Sequence, residues 1–426
     1  MKKIIIFSII CLLCTALFAD GASFSGDIST TWGIFAPWTN DETANDFSFG
    51  NTDFTGKVDA WYGNSSALAE GTISYDALTN KLDFTLGEIW LDYTESFWGV
   101  RIGRQKAAWG KADGIDITNV LCPSDMSSFS AMTGDDGKFA VDAIRFSFSG
   151  NSFTADAWWI PFFTPSALPL DEGNTLRNFV IPSTIDLEVA PGTVIPFPVK
   201  INNLAKPELA IWNGEYGLKL SGYFSTLDLS LYGFYGWDDI PLLSYDMTPE
   251  CMLVNGEYKH MAMIGTDAAL PIGPTVLRLE AAFFPQRYFQ KSSEAAALDD
   301  KGKRNQLSAL AGIDWMPSGW TLTAQYYCDY VFGKLDTIER TDAYQHGATL
   351  SVSKSLVNET LELSFAGVIG LNDFDSMLSP SIEYSLSDQI NLGAKAYIFL
   401  PGPDRDGQYG AYKDLSSICI NAKFSF

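Results

Sequence analysis

The sequence predicts an all-β fold: a transmembrane antiparallel up-and-down β-barrel of about 18 strands (roughly 14–18) with an inward-folding loop. Three observations carry that expectation. The chain ends in ICINAKFSF, where Ile418, Ile420, Ala422, Phe424 and Phe426 share one face of an extended strand and Cys419, Asn421, Lys423 and Ser425 share the other. Segments of about ten residues that alternate apolar and polar recur along the chain, with no linker to divide it. Between them short turns and long loops take turns, as in barrels with short periplasmic turns and long outer loops.

At the N-terminus, MKKIIIFSIICLLCTALFADGASF places Lys2 and Lys3 before an apolar run from Ile4 to about Ala19, followed by small and polar residues. That is the layout of a secretory signal peptide, and the run is shorter than the ~20 residues a spanning helix requires. Residues 1–19 are expected to be removed, leaving residues 20–426 as one barrel domain. Cys14 follows two leucines like a lipid-attachment cysteine, but Leu13 is larger than the residue that usually precedes one. Composition agrees with export, with 46% hydrophobic, 14% aromatic and only 19% charged residues. Losing Lys2 and Lys3 takes the formal net charge from −23 to −25, an acidity that disfavours nucleic acid as a partner. Cys122, Cys251, Cys328 and Cys419 of the mature chain are too far apart in sequence for a metal knuckle. Cys122 and Cys251 fall in expected loops, and their pairing is left open. Neither metal nor cofactor is expected.

The clearest hairpin is EYGLKLSGYFSTLDLSLYG. Tyr216, Leu218, Leu220, Gly222 and Phe224 share a face with Leu227, Leu229 and Leu231 across a Ser225–Thr226 turn, while Lys219, Ser221, Asp228 and Ser230 take the other. Further short turns are expected near Glu95, Gly150, Gly273, Ser318, Asn358 and Ser387. Long loops are expected over 106–137, 163–211, 238–256, 285–305 and 332–342, with shorter ones near 371–376 and 401–410. Parity of the strands returns the C-terminus to the periplasmic side, where the last strand closes the sheet against the first and leaves no edge. A final Phe after alternating apolar residues also resembles the signal by which bacterial outer-membrane proteins engage the barrel-assembly machinery. Trp90, Tyr93, Trp98, Trp158, Trp159, Trp237 and Trp320 fall near strand ends and are expected in aromatic girdles facing the lipid bilayer of the outer membrane.

The segment RIGRQKAAWGKADGIDITNVLCPSD (Arg101 to Asp125) resembles the strand-then-loop block of a poorly characterised family of large bacterial outer-membrane barrels, distantly similar to alginate-export-type porins. Its core is Gly103, Arg104, Gln105, Trp109 and Gly110. WWIPFFTPSALP, the hairpin above and LRLEAAFF resemble further blocks in the same order, so the likeness runs from about residue 85 onward. The Pro-rich stretch 165–207 departs from it. The resemblance implies a transport barrel and does not identify a cargo.

Functional residues are read from strand phase. Val100 and Ile102 take the apolar face, so Arg101, Gly103 and Gln105 look into the lumen. By the same rule so do Arg145, Lys219, Arg278 and Glu280, since a Lys or Arg facing lipid at mid-membrane costs roughly 2–4 kcal/mol. Arg104 breaks this phase, which is read as the end of its strand rather than a bulge. Loop 106–137, with Lys106 and Lys111, is long enough to enter the lumen and narrow it. Together these groups would form a charged constriction that sorts solutes, beneath outer loops rich in acid: Asp41, Glu42, Asp46, Asp135, Asp136, Asp171, Glu172, Asp238, Asp239, Asp299 and Asp300.

Enzyme chemistry finds no support. His260 and His346, the only histidines, lie in phase with apolar neighbours, and neither Gly-x-Ser-x-Gly nor His-Glu-x-x-His occurs. GNTDFTGK (Gly50 to Lys57) is one residue too long for a phosphate loop. DRDG (Asp404 to Gly407) starts like a calcium loop but has Lys413 where the closing Glu belongs. The expected function is a porin-like channel for passive passage of small hydrophilic or anionic solutes. The alternative is a surface-exposed binding protein or adhesin on the same scaffold.

Overall fold

The computed structural model describes residues 20–39, 43–127, 137–171, 174, 176–292, 301–404 and 406–426. The expected signal peptide with Cys14, the acidic loop residues Asp41, Glu42, Asp135, Asp136, Glu172, Asp299 and Asp300, and Arg405 of the DRDG segment lie outside them. In chain order the first strands are β1 (Gly21–Phe35), β2 (Phe47–Tyr62), β3 (Ser65–Asp76), β4 (Lys81–Thr94), β5 (Trp98–Gln105), β6 (Val141–Ser149) and β7 (Phe153–Ile160). A short helix α1 (Arg177–Val180) precedes β8 (Thr184–Ala190) and β9 (Thr193–Ala205). There follow β10 (Glu215–Tyr223), β11 (Asp228–Trp237), β12 (Leu242–Met247), β13 (Met252–Glu257), β14 (His260–Ile272), β15 (Thr275–Tyr288) and β16 (Lys303–Trp315). The chain ends with β17 (Trp320–Val331), β18 (Tyr344–Leu356), β19 (Leu361–Gly370), β20 (Asp375–Ser387), β21 (Ile390–Leu400), helix α2 (Gly407–Gly410) and β22 (Ser417–Ser425).

Eighteen of these strands pair into one antiparallel barrel. Neighbours follow chain order, except that β7 pairs with β10 and β11 with β14. The ring closes between β1 and β22, with Ile28 opposite Phe424 and Ile34 opposite Ile418. Phe426 extends that seam: its amide donates to Gly26 O and its carbonyl accepts from Gly26 N, both at 3.0 Å. Its ring lies 5.6 Å from that of Phe24. The terminal aromatic thus finishes the ladder that removes the barrel's edge.

Period-2 alternation is realised as read. The Phe224 amide donates to Leu227 O across the Ser225–Thr226 turn at 2.9 Å, and Leu218, Leu220 and Leu231 are exposed on the outer wall. Ser221 and Ser230 are buried inside, their hydroxyls 3.1 Å apart. Strand β4 changes phase part-way. Ala69 pairs with Ile89 and Gly71 with Leu86, so β4 carries one extra residue there. Leu82 and Phe84 face outward before this bulge, Leu91 and Tyr93 after it, and Trp90 and Asp92 are turned inward. Trp90 and Trp158 therefore leave the expected girdle: Trp90 lies under Arg101, and Trp158 is buried within the barrel.

Two segments read as loops are folded. β8, β9, β12 and β13 form a separate four-stranded sheet at the long-loop end, ordered β12-β13-β9-β8. Ile181, Val199 and Val254 make its core. Pro196 and Pro198 of β9 sit where only β8 pairs, because the parallel β13 partnership begins at Val199. Both prolines thus occupy an open edge, where a missing N–H costs no ladder bond. The phosphate-loop-like Gly50–Lys57 lies wholly within β2.

Candidate functional site in the lumen

The segment after β5 enters the barrel and packs along the wall made by β6, β7, β10, β11 and β14 to β17. Its Trp109, Ile117, Leu121 and Cys122 join lumen-facing Trp158, Tyr232, Phe234, Met261, Met263 and Phe284 in one buried apolar cluster. An interior read as wet therefore holds a second core on this side.

Polar pins fix the segment. Glu280, only 3% exposed, accepts from the amides of Lys111 (2.7 Å), Ala112 (2.9 Å) and Thr118 (2.8 Å) and from the Thr118 hydroxyl (2.8 Å). One carboxylate thus satisfies four donors that the apolar surroundings would otherwise leave unpaired. Arg278 donates to Lys111 O at 2.9 Å and pairs with Asp314. Gln325 receives the Asp113 amide at 2.9 Å and returns a bond to Asp113 O at 2.7 Å. Lys219 Nζ donates to Ala108 O at 3.0 Å. The Gly110 amide donates to the Tyr232 hydroxyl at 3.1 Å, and that hydroxyl donates to buried Asp267. Cys122 accepts the Ala107 amide at Sγ, and burial pushes its thiol up to about 11. Cys122, Cys251, Cys328 and Cys419 are all free thiols.

Strand phase brings Arg101 and Arg145 together on the adjoining wall, directly opposite each other between β5 and β6. Asp92 serves both, at 2.8 Å from Arg101 Nε and 3.8 Å from Arg145 Nη2. Arg101 stacks 3.7 Å over Trp90, and Arg145 lies 5.5 Å over Trp158. Two guanidinium groups share one carboxylate, each held over an aromatic face.

Other expected residues are placed differently. β5 does not stop at Arg104 but keeps its register with β6 to Gln105, which pairs with Val141. Arg104 keeps the outward phase of Ile102 and pairs with Asp142 at 3.6 Å, away from the lumen. Gln105 faces inward but is fully buried, donating to Ala143 O at 3.0 Å. Lys106 contributes its amide to Glu88 at 2.9 Å. Lys219, Arg278 and Glu280 hold the inward segment rather than line open water. The sequence reading passed over Asp92, Tyr232, Asp267 and Gln325. Inward phase in β14 and β17 carried a signal for the last two.

A second segment folds inward from the opposite side. Tyr409, Tyr412 and Leu415 pack on Phe49, Tyr397, Phe399 and Cys419, and buried Asp375 accepts the amides of Tyr409 and Gly410. Tyr412 meets Phe179 of α1 with ring centroids 4.7 Å apart. Between the two inward segments, lumen-facing Asp27, Thr31, Thr55 and Thr72 of β1 to β3 keep partial solvent exposure.

Residues 22–413 match the family described as "Protein of unknown function (DUF1302)". The chain belongs to the DUF1302 family. No protein with a curated description matches its sequence. Among solved structures, this DUF1302 barrel is similar to OccAB1 of Acinetobacter baumannii, with a TM-score of 0.56 at 9% identity over 96% of this chain and 97% of that one. It is also similar to OccAB2 of the same organism (TM-score 0.52, 10% identity, 96% and 98% covered). OccK2 (OpdF) of Pseudomonas aeruginosa in complex with glucuronate has a TM-score of 0.50 at 10% identity, with 95% and 97% covered. At these identities the likeness is one of fold, that of outer-membrane barrels. It bears on the DUF1302 chain's architecture and not on the alginate-export resemblance of its Gly-Arg-Gln block.

Proposed function

We propose that this protein is an outer-membrane, porin-like channel for passive passage of small hydrophilic solutes, with small anions favoured at Arg101 and Arg145. The observation that carries this reading is a lumen narrowed from two sides but not filled. Glu280, Gln325 and Asp267 are buried beneath the inward segment, whereas the polar lumen faces of β1 to β3 stay partly exposed. A pinned loop that narrows a barrel without coating its whole wall suits a size-limited eyelet. Arg101 and Arg145 put two guanidinium groups beside Asp92 on the adjoining wall, with Asp156 and Glu88 also acting on Arg145. The complex of OccK2, a barrel of similar fold, with glucuronate supports an anionic cargo. Export by residues 1–19, outward-facing long loops and delivery through the Phe426 strand to the assembly machinery belong to the same reading.

Refolding residues 20–426 into a planar lipid bilayer tests it. Stable single-channel steps are expected, with a reversal potential in a salt gradient that shifts toward cations when Arg101 and Arg145 are both changed to Glu. Protein that inserts as a heat-modifiable barrel but passes no current would overturn it. The folded exterior sheet, with a core of its own, would then favour a surface-binding role.

A further inference from the structure

Between the exterior sheet and β10 the chain runs PELAIWNG, residues 207–214. Leu209, Ile211 and Trp212 are 78%, 66% and 73% exposed, whereas Phe197 and Val199 of the neighbouring sheet are buried. Three large apolar side chains presented together to water call for a partner.

Their place on the barrel points to one. A Cβ on Gly214 would stand 2.8 Å from the Trp159 indole nitrogen. The Trp237 indole donates to Asn213 O at 2.9 Å. Trp237 holds the outward phase of exposed Tyr235, and His260 stacks on it with ring centroids 3.7 Å apart. The segment thus rides the outer rim above a girdle of outward aromatics, where β7, β10 and β11 present their lipid face. It continues that face upward.

We infer that Leu209, Ile211 and Trp212 form a membrane foot, a piece of exterior loop that sits in the interfacial layer of the bilayer at the long-loop end. The partner is lipid. Trp at a water–hydrocarbon boundary and flanking aliphatic side chains fit that layer. The inference rests on the reading of the barrel as membrane-spanning. It adds that the exterior subdomain is tied to the bilayer on the β7–β10 side, which fixes how that subdomain stands over the mouth.

Nitroxide labelling of the full mature chain in phospholipid vesicles tests it. Trp212→Cys, Leu220→Cys and Ile195→Cys are made in a Cys328→Ser background, because Cys328 is the one native cysteine that is not buried among the described residues. Collision rates with oxygen, which concentrates in lipid, are compared with those of a water-soluble nickel chelate. The oxygen-to-nickel ratio at 212 is expected to be several-fold above that at 195 and to approach that at 220. A ratio at 212 equal to that at 195, with 220 in lipid, overturns the foot alone. An aqueous signal at 220 as well overturns the membrane reading beneath it. Spin–spin broadening at 212 that grows with protein density would show a second copy, not lipid, covering the site, and would also overturn the inference. Ile211→Cys serves if the Trp212 variant does not fold.

Discussion

A Cβ on Gly110 would stand 2.7 Å from a carboxylate oxygen of Glu280. The backbone at Gly110 also has φ +87°, where an L side chain is strained. The Trp-Gly pair of the Arg101–Asp125 block thereby gains a physical meaning: Trp109 packs against Tyr232 with centroids 4.9 Å apart and the rings tilted by 42°, and Gly110 lets the chain pass against the carboxylate. Gly110→Ala is expected to lift the inward segment off the wall while the eighteen-strand ladder persists. Single channels should become larger and noisier, with unchanged β-sheet circular dichroism. Wild-type conductance in this variant would mean that the segment does not set the eyelet.

Glu280 should act as the clasp in a graded way. Glu280→Gln keeps an acceptor oxygen and removes the charge. Glu280→Ala leaves the amides of Lys111, Ala112 and Thr118 without their partner, at about 1–3 kcal/mol for each buried donor left unpaired. The expected order of segment displacement is wild type, then Gln, then Ala. Cys122 gives a readout independent of current, since its buried thiol is held protonated and covered. Maleimide labelling of Cys122 at neutral pH, assigned by peptide mass, should be slow in wild type and fastest in Glu280→Ala. Equal labelling in all three would count against the clasp.

Much of this architecture was legible in sequence because a barrel wall obeys one rule, apolar out and polar in. The β1–β22 seam and the Ser225–Thr226 turn follow from it. The rule also put Arg101, Arg145 and Glu280 inside. It failed where a second demand was laid on the same strand. In β11, Tyr232 and Phe234 face inward yet are apolar, because the inward segment needs a dry wall to rest on. In β4 the bulge between Leu86 and Ile89 reverses the phase, and a strict period of two then puts Trp90 on the wrong face. The exterior sheet was hidden by Pro196 and Pro198, which read as loop, and by the pairing of β9 with β13, some fifty residues on in the chain. Nothing local in either segment announces the other.

Asp92 should control selectivity more than either arginine alone. It is the shared counter-charge of Arg101 and Arg145, 2.8 and 3.8 Å away. Asp92→Asn removes a negative charge and keeps a polar side chain of the same shape, so Arg101 loses its bonded partner while Arg145 keeps Asp156 and Glu88 nearby. Anion preference should rise, and the effect should fade toward 1 M salt, where the screening length falls to about 3 Å. Reversal potentials in a KCl gradient at low and high ionic strength check this. A shift toward cations, or none at low salt, would exclude these arginines from the ion path.

Asp239 makes the contact between two loops at the long-loop end depend on pH. It follows β11, outside the barrel wall, and its carbonyl accepts the Ser166 amide at 3.2 Å. Burial, reinforced by Glu215 and Asp238 and opposed by Lys138 and Arg287, holds its carboxyl well above the ordinary carboxylate range. The folded loop therefore binds the proton more tightly than the opened one. By linkage the contact is weakest at high pH, strengthens as pH falls through the raised value, and stops gaining once the opened-state carboxyl protonates near its usual pKa of about 3.9. Hydrogen exchange at the Ser166 amide, corrected for its intrinsic pH dependence, should show protection rising toward acid in wild type. Asp239→Asn should give high protection at neutral pH and a flat profile. If both proteins show the same slope, another group sets the pH response of the mouth.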